Sequence, residues 1–462
     1  MHKSTLRITA CAAAFGLAAA LTACGSDSDG EAQPTGAGNG ASADNPFNVE
    51  PGSSVDALIL AGGYDTPVFV EYAAELAKDR LGLNTTVSIT TDRQTDLQTR
   101  LAAGEAPDLS SAPDTVLQMA DEMSTLDDVW DSVGYDGVKL SEALLPIAKQ
   151  SGTYAGKFVV MPITINQYTL YYSASLFRDN GWTPPTTWDE MMELGEAAKA
   201  KGKYLFTFGK EAAVYWEWMA LDCAVKQGGM DVYLNLANLK PGAYSDPNIK
   251  ACFTEMKKSV DKGYWVPGGA GTQYTQAQAT WSNDQDALFY FTGSWIENEM
   301  KDLTAEGFEM TAWPAPFLDP ATAKLPFDAV QQTGGEILIV WKSAKNVAGG
   351  KELLRALLSK DAATYFAKTT LSPSVVKGVV PADGWGSTAL ASATQLAEKA
   401  GDNALPFLMD WANISYGINT LTQWNSFLSG DLSVDELIAQ LQKLSDDVAN
   451  DPSIEKTEYT LP

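Results

Sequence analysis

Histidine is almost missing from this sequence. The chain has 462 residues and one histidine, His2, which lies in a segment that we expect to be removed from the mature protein. Ser-His-Asp and Cys-His catalytic sites, zinc sites built on imidazole and HExxH sites all require histidine in the folded part of a chain. The composition therefore excludes these classes of site, and we expect no cofactor and no metal ion.

Positive charge is also scarce. The chain has 32 Lys and Arg against 58 Asp and Glu, a formal net charge of −26. Because affinity for nucleic acid phosphates and for anionic lipid headgroups comes from Lys and Arg, this charge argues against both kinds of partner. After the N-terminal segment no run of 18 or more apolar residues occurs, so the rest of the chain is predicted to lie outside the membrane and outside the cell.

Cysteine is used sparingly. Of the four cysteines, Cys11 lies in the N-terminal segment and Cys24 at its end, which leaves Cys223 and Cys252 in the folded part. Outside the cytoplasm an even pair of cysteines favours a disulfide. Two buried free thiols are the alternative.

The first residues have the pattern of an export signal. Basic residues precede an apolar run of 13 residues, Ile8–Ala20, which is too short to span a bilayer. The following Leu21–Cys24 (LTAC) resembles a bacterial lipobox, whose cysteine carries two acyl chains and becomes the new N-terminus. We expect a signal peptide over 1–23, lipid on Cys24, a flexible tether over 24–50, and anchoring to the outer face of the cytoplasmic membrane. The alternative is an ordinary signal peptide with Cys24 incidental.

The remaining chain alternates short apolar or β-branched runs with helical periodicity. Residues 55–61 (VDALILA) and 85–90 (TTVSIT) are predicted strands, and a helix that begins near Thr66 and Pro67 lies between them. This order predicts an α/β fold, with a mainly parallel sheet and helices on its faces. Ser or Thr followed three residues later by Glu predicts capped helix starts at Thr187, Ser294 and Ser433.

Glycine or serine turns follow several of the predicted strands. Open α/β sheets bind ligands beyond the carboxyl ends of their strands, where glycine lets a ligand approach the backbone and helix N-termini offer free N–H groups. This rule selects four junctions: Gly62–Asp65, Ser110–Ser111, Gly209–Glu211 and Gly293–Trp295.

Aromatic residues and carboxylates suggest the kind of ligand. The chain has 13 Trp and 17 Tyr, and a sugar presents an apolar face that such rings can cover and hydroxyl edges that carboxylates and amides can bind. The selected residues are Gly63, Tyr64, Asp65, Ser111, Glu211, Trp216, Trp281, Gly293, Ser294, Trp295 and Trp411, with Tyr215 and Trp385 as further rings. The competing structural roles are core filling for the tryptophans, helix capping for Asp65 and a solvated helix-start acid for Glu211.

Three ordered segments resemble a known family. Residues 102–108 (AAGEAPD), 156–177 and 181–190 (GWTPPTTWDE) are similar to motifs of the solute-binding lipoproteins of bacterial carbohydrate ABC transporters. Stretches at 277–281, 293–300, 358–363, 374–378 and 400–403 are most similar to the actinobacterial proteins that bind N-acetylglucosamine and diacetylchitobiose. The resemblance implies a two-lobed, periplasmic-binding-protein-like α/β fold, each lobe a mostly parallel sheet flanked by helices, and a protein that is not an enzyme.

The resemblance also implies how the chain divides. One lobe takes residues 51–162 with 313–370 and the other takes 165–310 with 373–462. The chain would cross between them three times, near 161–166, 308–316 and 369–375. The same resemblance adds Tyr168 to the expected sugar contacts and makes Trp411 a late aromatic in the cleft. Residues 334–336 (GGE) and 410–413 (DWAN) depart from the group's pattern, and Gly335 and Glu336 are expected contacts because they lie where the resemblance places the sugar.

The implied mechanism is capture of a small carbohydrate without chemistry. The sugar binds between the lobes, the lobes close over it, and the closed monomer docks on the permease subunits of the transporter. N-acetylglucosamine, diacetylchitobiose or a related oligosaccharide is the expected ligand, and cello-, xylo- or malto-type oligosaccharides are alternatives. An extracellular glycoside hydrolase needs only two carboxylates, so composition does not exclude it. A peptide ligand also stays open.

Overall fold

The structure is a computed structural model that describes residues 42–61, 66–113, 115–406, 413 and 416–460. The predicted signal peptide, Cys24 and residues 25–41 of the predicted tether lie outside the described residues. Four of the expected ligand contacts also lie outside them and stay predictions: Gly63, Tyr64, Asp65 and Trp411.

One mixed sheet runs through the described part of the chain. Its strands are β1 (Ser54–Leu60), β2 (Asn84–Thr90), β3 (Leu109–Ser111), β6 (Met161–Ser173), β7 (Tyr204–Phe206), β8 (Ala287–Gly293), β9 (Met310–Trp313), β10 (Gln331–Ile339) and β11 (Leu405–Pro406), while β4 (Thr153–Tyr154) and β5 (Lys157–Phe158) form a separate hairpin. The order is β2-β1-β3-β10-β6-β8-β7, with β11 beside β10 and β9 beside β6. Pairing is parallel within β1–β3 and between β7 and β8, and antiparallel between β6 and β10. The predicted α/β class is confirmed, and the expected parallel pairing is found towards the two ends of the sheet.

Helices cover both faces of this sheet. They are α1 (Thr66–Leu81), α2 (Arg93–Ala102), α3 (Val116–Met119), α4 (Asp127–Asp131), α5 (Leu140–Ala143), α6 (Ile147–Ser151), α7 (Ala174–Asn180), α8 (Trp188–Ala200), α9 (Tyr215–Gly228), α10 (Asp231–Ala237), α11 (Pro247–Asp261), α12 (Tyr274–Ser282), α13 (Ile296–Met300), α14 (Val347–Leu357), α15 (Lys360–Thr370), α16 (Thr388–Ala400), α17 (Leu421–Leu428) and α18 (Val434–Asn450). Among the described residues, no helix is long and apolar enough to cross a membrane.

A first hydrophobic core lies on one face of β1–β3. Because side chains alternate along a strand, Val55, Ala57 and Ile59 of β1 point into this core and Leu58 points into a smaller cluster on the other face. Helices α1, α14 and α15 cover the core side. The sheet therefore lies between two layers of helices, as the order of strands and helices in the sequence predicts.

A second hydrophobic core, rich in aromatic residues, lies beside β7 and β8. Trp188 of α8, Trp216 of α9 and Trp424 of α17 are all fully buried in it. Cys223 of α9 and Cys252 of α11 are joined by a disulfide inside this core, which is the first of the two alternatives for this pair.

Local capping signals predict helix starts well at two of three positions. Thr187 and Ser433 each form a complete capping box, with Glu190 and with Glu436. The box expected at Ser294 is wrong: the N-cap of α13 is Trp295, and the carboxylate of Glu297 accepts a hydrogen bond from Ser387 instead.

Two long strands, β6 and β10, connect the cores. β6 places Met161 and Ile165 in the first core and Tyr168 and Leu170 in the second, so the chain passes from one core to the other along this strand. β10 runs antiparallel beside it and ends with Leu338 in the first core.

Residues 308–316, where the second crossing is expected, lie beside the second half of β6 and the second core. Ala315 and Ala329 pack in the second core, and Val330, directly before β10, is the next residue that packs in the first core. The buried Lys226 of α9 explains why, because its ammonium group donates hydrogen bonds to the backbone oxygens of Ala315 and Phe327. The segment is thereby held against the second core.

The third crossing is expected at residues 369–375. Val375 and Val376 still pack in the first core. Helix α16 then contacts both sides, with Ala393 in a cluster beside the second half of β6 and Ala397 in the first core.

Candidate functional site

The candidate site lies where β6 and β10 pass between the two cores. Their register pairs Thr164 with Gly335 and Asn166 with Thr333, and these side chains share one face of the sheet because they occupy alternate positions. We call Thr164, Asn166 and Thr333 the polar floor. Within it, the Thr164 hydroxyl and the Asn166 amide oxygen are buried and have no hydrogen-bond partner. Such groups are costly unless a ligand or water supplies the missing bond.

Gly335 makes room for the polar floor. A Cβ at this position would lie 2.5 Å from the Thr164 hydroxyl and 2.6 Å from the Asn166 amide oxygen, closer than atoms can approach without displacement. Glycine is therefore required for these two polar groups to lie over the strand. The expected contact residue Gly335 therefore acts through the absence of a side chain, which leaves space for Thr164 and Asn166.

Four aromatic rings, Tyr168, Tyr215, Trp218 and Trp295, adjoin the polar floor; we call them the aromatic cluster. The Tyr168 ring is packed edge to face against Trp218 at 4.9 Å and against Trp295 at 5.3 Å, between ring centroids. Tyr215 and Trp218 stack at 4.5 Å, three residues apart on α9. Trp295 is only half-buried. The cluster therefore offers a supported ring at which a flat apolar ligand face can bind.

The position of Trp295 depends on the end of β8. A Cβ on Gly293 would lie 2.1 Å from the nearest indole carbon, so only glycine lets the ring cover the strand end. Ser294 fixes the turn: its hydroxyl donates to the Ile165 carbonyl at 3.2 Å and accepts from the Gln167 amide at 3.3 Å. Ser294 thus links β6 to the start of α13 through hydrogen bonds. This role differs from the direct ligand contact expected for it.

Two carboxylates, those of Glu211 and Glu299, act on Tyr290 of β8, the strand that ends at Gly293. Glu211 is exposed, accepts a hydrogen bond from the Tyr274 backbone at 3.0 Å and pairs with Lys210 at 3.5 Å. Glu299 accepts from the Gln278 amide at 2.8 Å. Burial raises the pKa of Tyr290 well above its usual range, and the charges of Glu299 and Glu211 raise it further, so both acids act on one buried residue.

Glu336 of β10 connects this strand to helix α1 of the first core. Its carboxylate accepts a hydrogen bond from the hydroxyl of Thr66, the first residue of α1. Its backbone has a φ of +44°, a left-handed conformation that is uncommon for a residue with a side chain. Burial raises the pKa of Glu336. The hydrogen bond from Thr66 and the charge of Arg93 lower it, but the effect of burial is larger.

Three expected contact residues are placed elsewhere. Ser111 is buried in β3, where its hydroxyl accepts a hydrogen bond from the Leu60 backbone at 3.0 Å. Trp216 lies in the second core against Phe206 and Trp265, and Trp281 lies in the cluster beside β8; both are at most 1% exposed. A sugar cannot stack on a ring that is covered on both faces, so the structure makes these tryptophans core residues.

The structure brings together Tyr168, Gly293, Ser294 and Trp295 of the expected contacts, and Gly335 adjoins them through the polar floor. Sequence reasoning missed Thr164, Asn166 and Trp218. The spacing of Tyr215 and Trp218 on one helix face was an available signal for Trp218. No comparable signal marks the polar floor, because β6 is buried on both faces and shows no alternation.

Within the part of the chain that the structure describes, no group of three or more His, Cys, Asp or Glu side chains is arranged to hold a metal ion.

Comparison with known proteins gives a consistent set of relatives. A family model described as bacterial extracellular solute-binding protein matches residues 71–395. The diacetylchitobiose binding protein NgcE of Streptomyces coelicolor is 44% identical over 466 residues, which cover 99% of this chain and 98% of that protein. Among solved structures, a chitin oligosaccharide binding protein has a TM-score of 0.63 at 20% identity, covering 86% of this chain and 98% of its own. Apo RafE from Streptococcus pneumoniae has a TM-score of 0.69 at 16% identity, with coverage of 86% and 98%. At these identities the two structures support the fold.

Proposed function

This chain belongs to the bacterial extracellular solute-binding proteins, and we propose that it is the sugar-binding component of an ABC importer. Its proposed ligand is diacetylchitobiose, N-acetylglucosamine or a related oligosaccharide, which it delivers to the permease subunits. The ligand class rests on the 44% identity to NgcE over nearly the whole of both chains.

The aromatic cluster beside the polar floor is the observation that carries the proposal. A pyranose ring has an apolar C–H face and hydroxyl edges. The half-buried Trp295, which packs against Tyr168, suits the apolar face. The oxygens of Thr164 and Asn166 suit the hydroxyl edges, because an acceptor without a partner can receive a hydroxyl or amide hydrogen. We propose Trp295 as the main platform, with Tyr168 behind it and Glu211 and Glu336 at the two sides.

Closure of two lobes about β6 and β10 is the proposed mechanism. The two cores are separate, and these strands run from one to the other. A sugar between the cores would gain contacts from both sides only when they approach, so binding favours the closed state. No bond is made or broken in this scheme, and the chain is proposed not to be an enzyme.

Family membership makes this an exported protein. We propose in addition that residues 1–23 are a signal peptide and that Cys24 carries the lipid, because the sequence Leu21–Cys24 resembles a lipobox. The mature protein would then act as a monomer anchored to the outer face of the cytoplasmic membrane.

A sugar titration of residues 41–462 tests the ligand. Diacetylchitobiose, N-acetylglucosamine, cellobiose, maltose and xylobiose are titrated by tryptophan fluorescence and calorimetry. We expect saturable binding of the acetylated sugars at micromolar concentration or below, and no response to the others. Binding of cellobiose, maltose or xylobiose alone would keep the transport role and replace the ligand. Release of free sugar from diacetylchitobiose during the titration would favour a glycoside hydrolase.

A further inference from the structure

The proposed sugar platform, Trp295, stands at the start of a short helix. It is the N-cap of α13, which has 5 residues. So short a helix is not stable by itself, and its position depends on the residues that it packs against. Ile296 and Met300 of α13 share a buried cluster with Ala389 and Ala393 of α16. Whatever fixes the start of α16 therefore helps to fix the residue at the start of α13.

Glu297 joins these two helices through a hydrogen bond. Its half-buried carboxylate accepts from the hydroxyl of Ser387, and that hydroxyl accepts from the Leu390 backbone at 2.9 Å as the N-cap of α16. Burial raises the pKa of Glu297, and the Ser387 hydrogen bond lowers it, as a bond to the ionised form does. Ser387 is only 7% exposed. A hydrogen bond to a carboxylate that is shielded from water in this way belongs to the stronger kind.

The turn before Ser387 is attached to the first core. Trp385 packs against that core, and the ammonium group of Lys368 on α15 lies 6.0 Å from the centre of its ring. The backbone of Trp385 has a φ of +55°, a left-handed conformation that is unfavourable for a residue with a side chain. The Asp383 carboxylate holds this conformation by accepting from the Trp385 backbone at 3.2 Å. Because such a turn persists only where its surroundings fix it, Ser387 has a defined place relative to the first core.

A fixed place for Trp295 matters because the proposed sugar has to reach two surfaces at once. One is the ring, which packs against the second core, and the other is the polar floor on β6 and β10. Binding sites lose function when their supporting residues allow a displacement of about 1 Å. A bond that ties the platform's helix to a turn on the first core limits such displacements.

We propose that Glu297 is a positioning residue for the sugar platform: through Ser387 it fixes the start of α13, and with it Trp295, relative to the first core. This role rests on the proposed sugar-binding function. Glu297 acts through Trp295 and makes no contact with the sugar. Trp385, which the sequence suggested as a further ring for the ligand, serves in the same link by holding the turn on the first core.

Calorimetry with diacetylchitobiose and fluorine NMR test this role on residues 41–462 labelled with fluorotryptophan. Glu297→Ala is expected to weaken binding about tenfold, the usual size of one hydrogen bond to a charged group, and to shift the resonance that Trp295→Phe removes. Glu297→Gln keeps an acceptor oxygen and is expected to restore the affinity and the resonance position. Glu398→Ala, at an exposed acid on α16, is the control with wild-type values.

Ser387→Ala identifies the partner of Glu297. If both residues act through one bond, this variant weakens binding to a similar degree and shifts the same resonance. The double variant with Glu297→Ala should then bind no more weakly than either single variant. Loss of the α16 cap alone would lower Tm, measured by thermal unfolding, and leave the Trp295 resonance in place.

Three results would overturn the positioning role. The first is wild-type affinity in Glu297→Ala. The second is a loss of affinity with an unmoved Trp295 resonance, or one that Glu297→Gln does not restore, since the carboxylate would then be a direct sugar ligand. The third is additive loss in the double variant. A wild-type chain that binds no sugar would instead overturn the proposed function. In that case the resonance, which is measured without sugar, still decides whether Glu297 positions the ring.

Discussion

At Gly293, the absence of a side chain determines where Trp295 lies. Any Cβ there would overlap the indole, so the ring rests directly on the end of β8 and against Tyr168. Ser294 between them bonds to β6 through both its donor and its acceptor. Three consecutive residues thus build one ring position, and a sugar platform needs that kind of fixed geometry.

Trp295→Ala is expected to weaken sugar binding by tens of fold or more without unfolding the protein. The half-buried ring contributes little to the second core but would lose its whole contact area with the ligand. Calorimetry gives the affinity and thermal unfolding the stability. Trp130→Ala, at a half-buried tryptophan on the first lobe, is the control. Unchanged affinity in the Trp295 variant would remove this residue from the site.

Glu336 is expected to make stability depend on pH. Burial raises its pKa in the folded state, so the folded protein holds this proton at pH values where the unfolded chain has lost it. As pH rises through the interval between the unfolded and folded pKa values, the carboxyl must ionise in its buried position and the free energy of unfolding falls. Glu336→Gln removes this loss.

Urea unfolding from pH 4 to 8 checks the sign. The stability of the wild type relative to Glu336→Gln is expected to decrease as pH rises from roughly 4 upward, since ordinary carboxyl groups ionise there. Glu398→Gln, at an exposed acid, corrects for the loss of one charge. A difference that grows in favour of the wild type with rising pH would contradict the assignment.

At the scale of elements, the paired strands β6 and β10 carry both the polar floor and the passage between cores. Their register brings Gly335 opposite Thr164. Substitution at this glycine therefore tests the local packing of the strands. The effect is expected to be steric, because the nearest atoms are the polar ends of two side chains.

Gly335→Ala is expected to lower the free energy of unfolding by about 1–3 kcal/mol, the usual cost of overpacking a buried position. Urea unfolding measures it. Gly271→Ala is the matched control, since a Cβ there meets no atom within 4 Å. If both variants lose equal stability, the close approach at Gly335 has no consequence.

The disulfide between α9 and α11 joins two helices of the second core. Its loop spans 29 residues, so replacing both cysteines by alanine is expected to cost about 3 kcal/mol of unfolding free energy. Sugar affinity is expected to stay within a few fold, because Tyr215 and Trp218 lie at the start of α9. Thermal unfolding with and without reductant measures the effect, and reductant should shift the wild type and leave the double variant unmoved. A reductant shift in the variant would point to another cause.

At the scale of the whole molecule, two cores share one sheet. The first surrounds β1–β3 and the second lies beside β7 and β8; β6 belongs to both, and β10 starts at Gln331, bonded to Tyr233 of the second core, and reaches the first core at Leu338. Such a layout allows the cores to move as bodies about a pair of strands. The movement would not break either core.

Small-angle scattering is expected to detect this movement. Saturating diacetylchitobiose should reduce the radius of gyration of the wild type. Trp295→Ala should show no reduction at the same sugar concentration. A ligand shifts the equilibrium towards the closed state only as far as it binds that state more tightly, and this variant is expected to bind the sugar weakly. Identical curves with and without a sugar that calorimetry shows to bind would exclude closure as the mechanism.

Much of the fold was accessible from local patterns. The strand at 55–61, the helix start at Thr66 and the capping boxes at Thr187 and Ser433 depend on residues within a few positions of each other. Ser294 and Glu297 show the same local pattern, yet Glu297 bonds to Ser387 instead. A local signal fails where a distant partner competes for the same side chain.

The sequence alone limited histidine to His2, predicted the α/β class and indicated the family, because composition, short-range periodicity and motifs are properties of the chain itself. It favoured Trp295 by its place at the Gly293–Trp295 junction, but it did not show the difference in burial between this ring and the enclosed Trp216 and Trp281. That difference arises from tertiary packing, as in the bond between Ser294 and Gln167, 127 residues apart. The polar floor has the same origin: Thr164 and Asn166 become neighbours of Gly335 only when β10 pairs with β6, and burial then leaves their oxygens without partners.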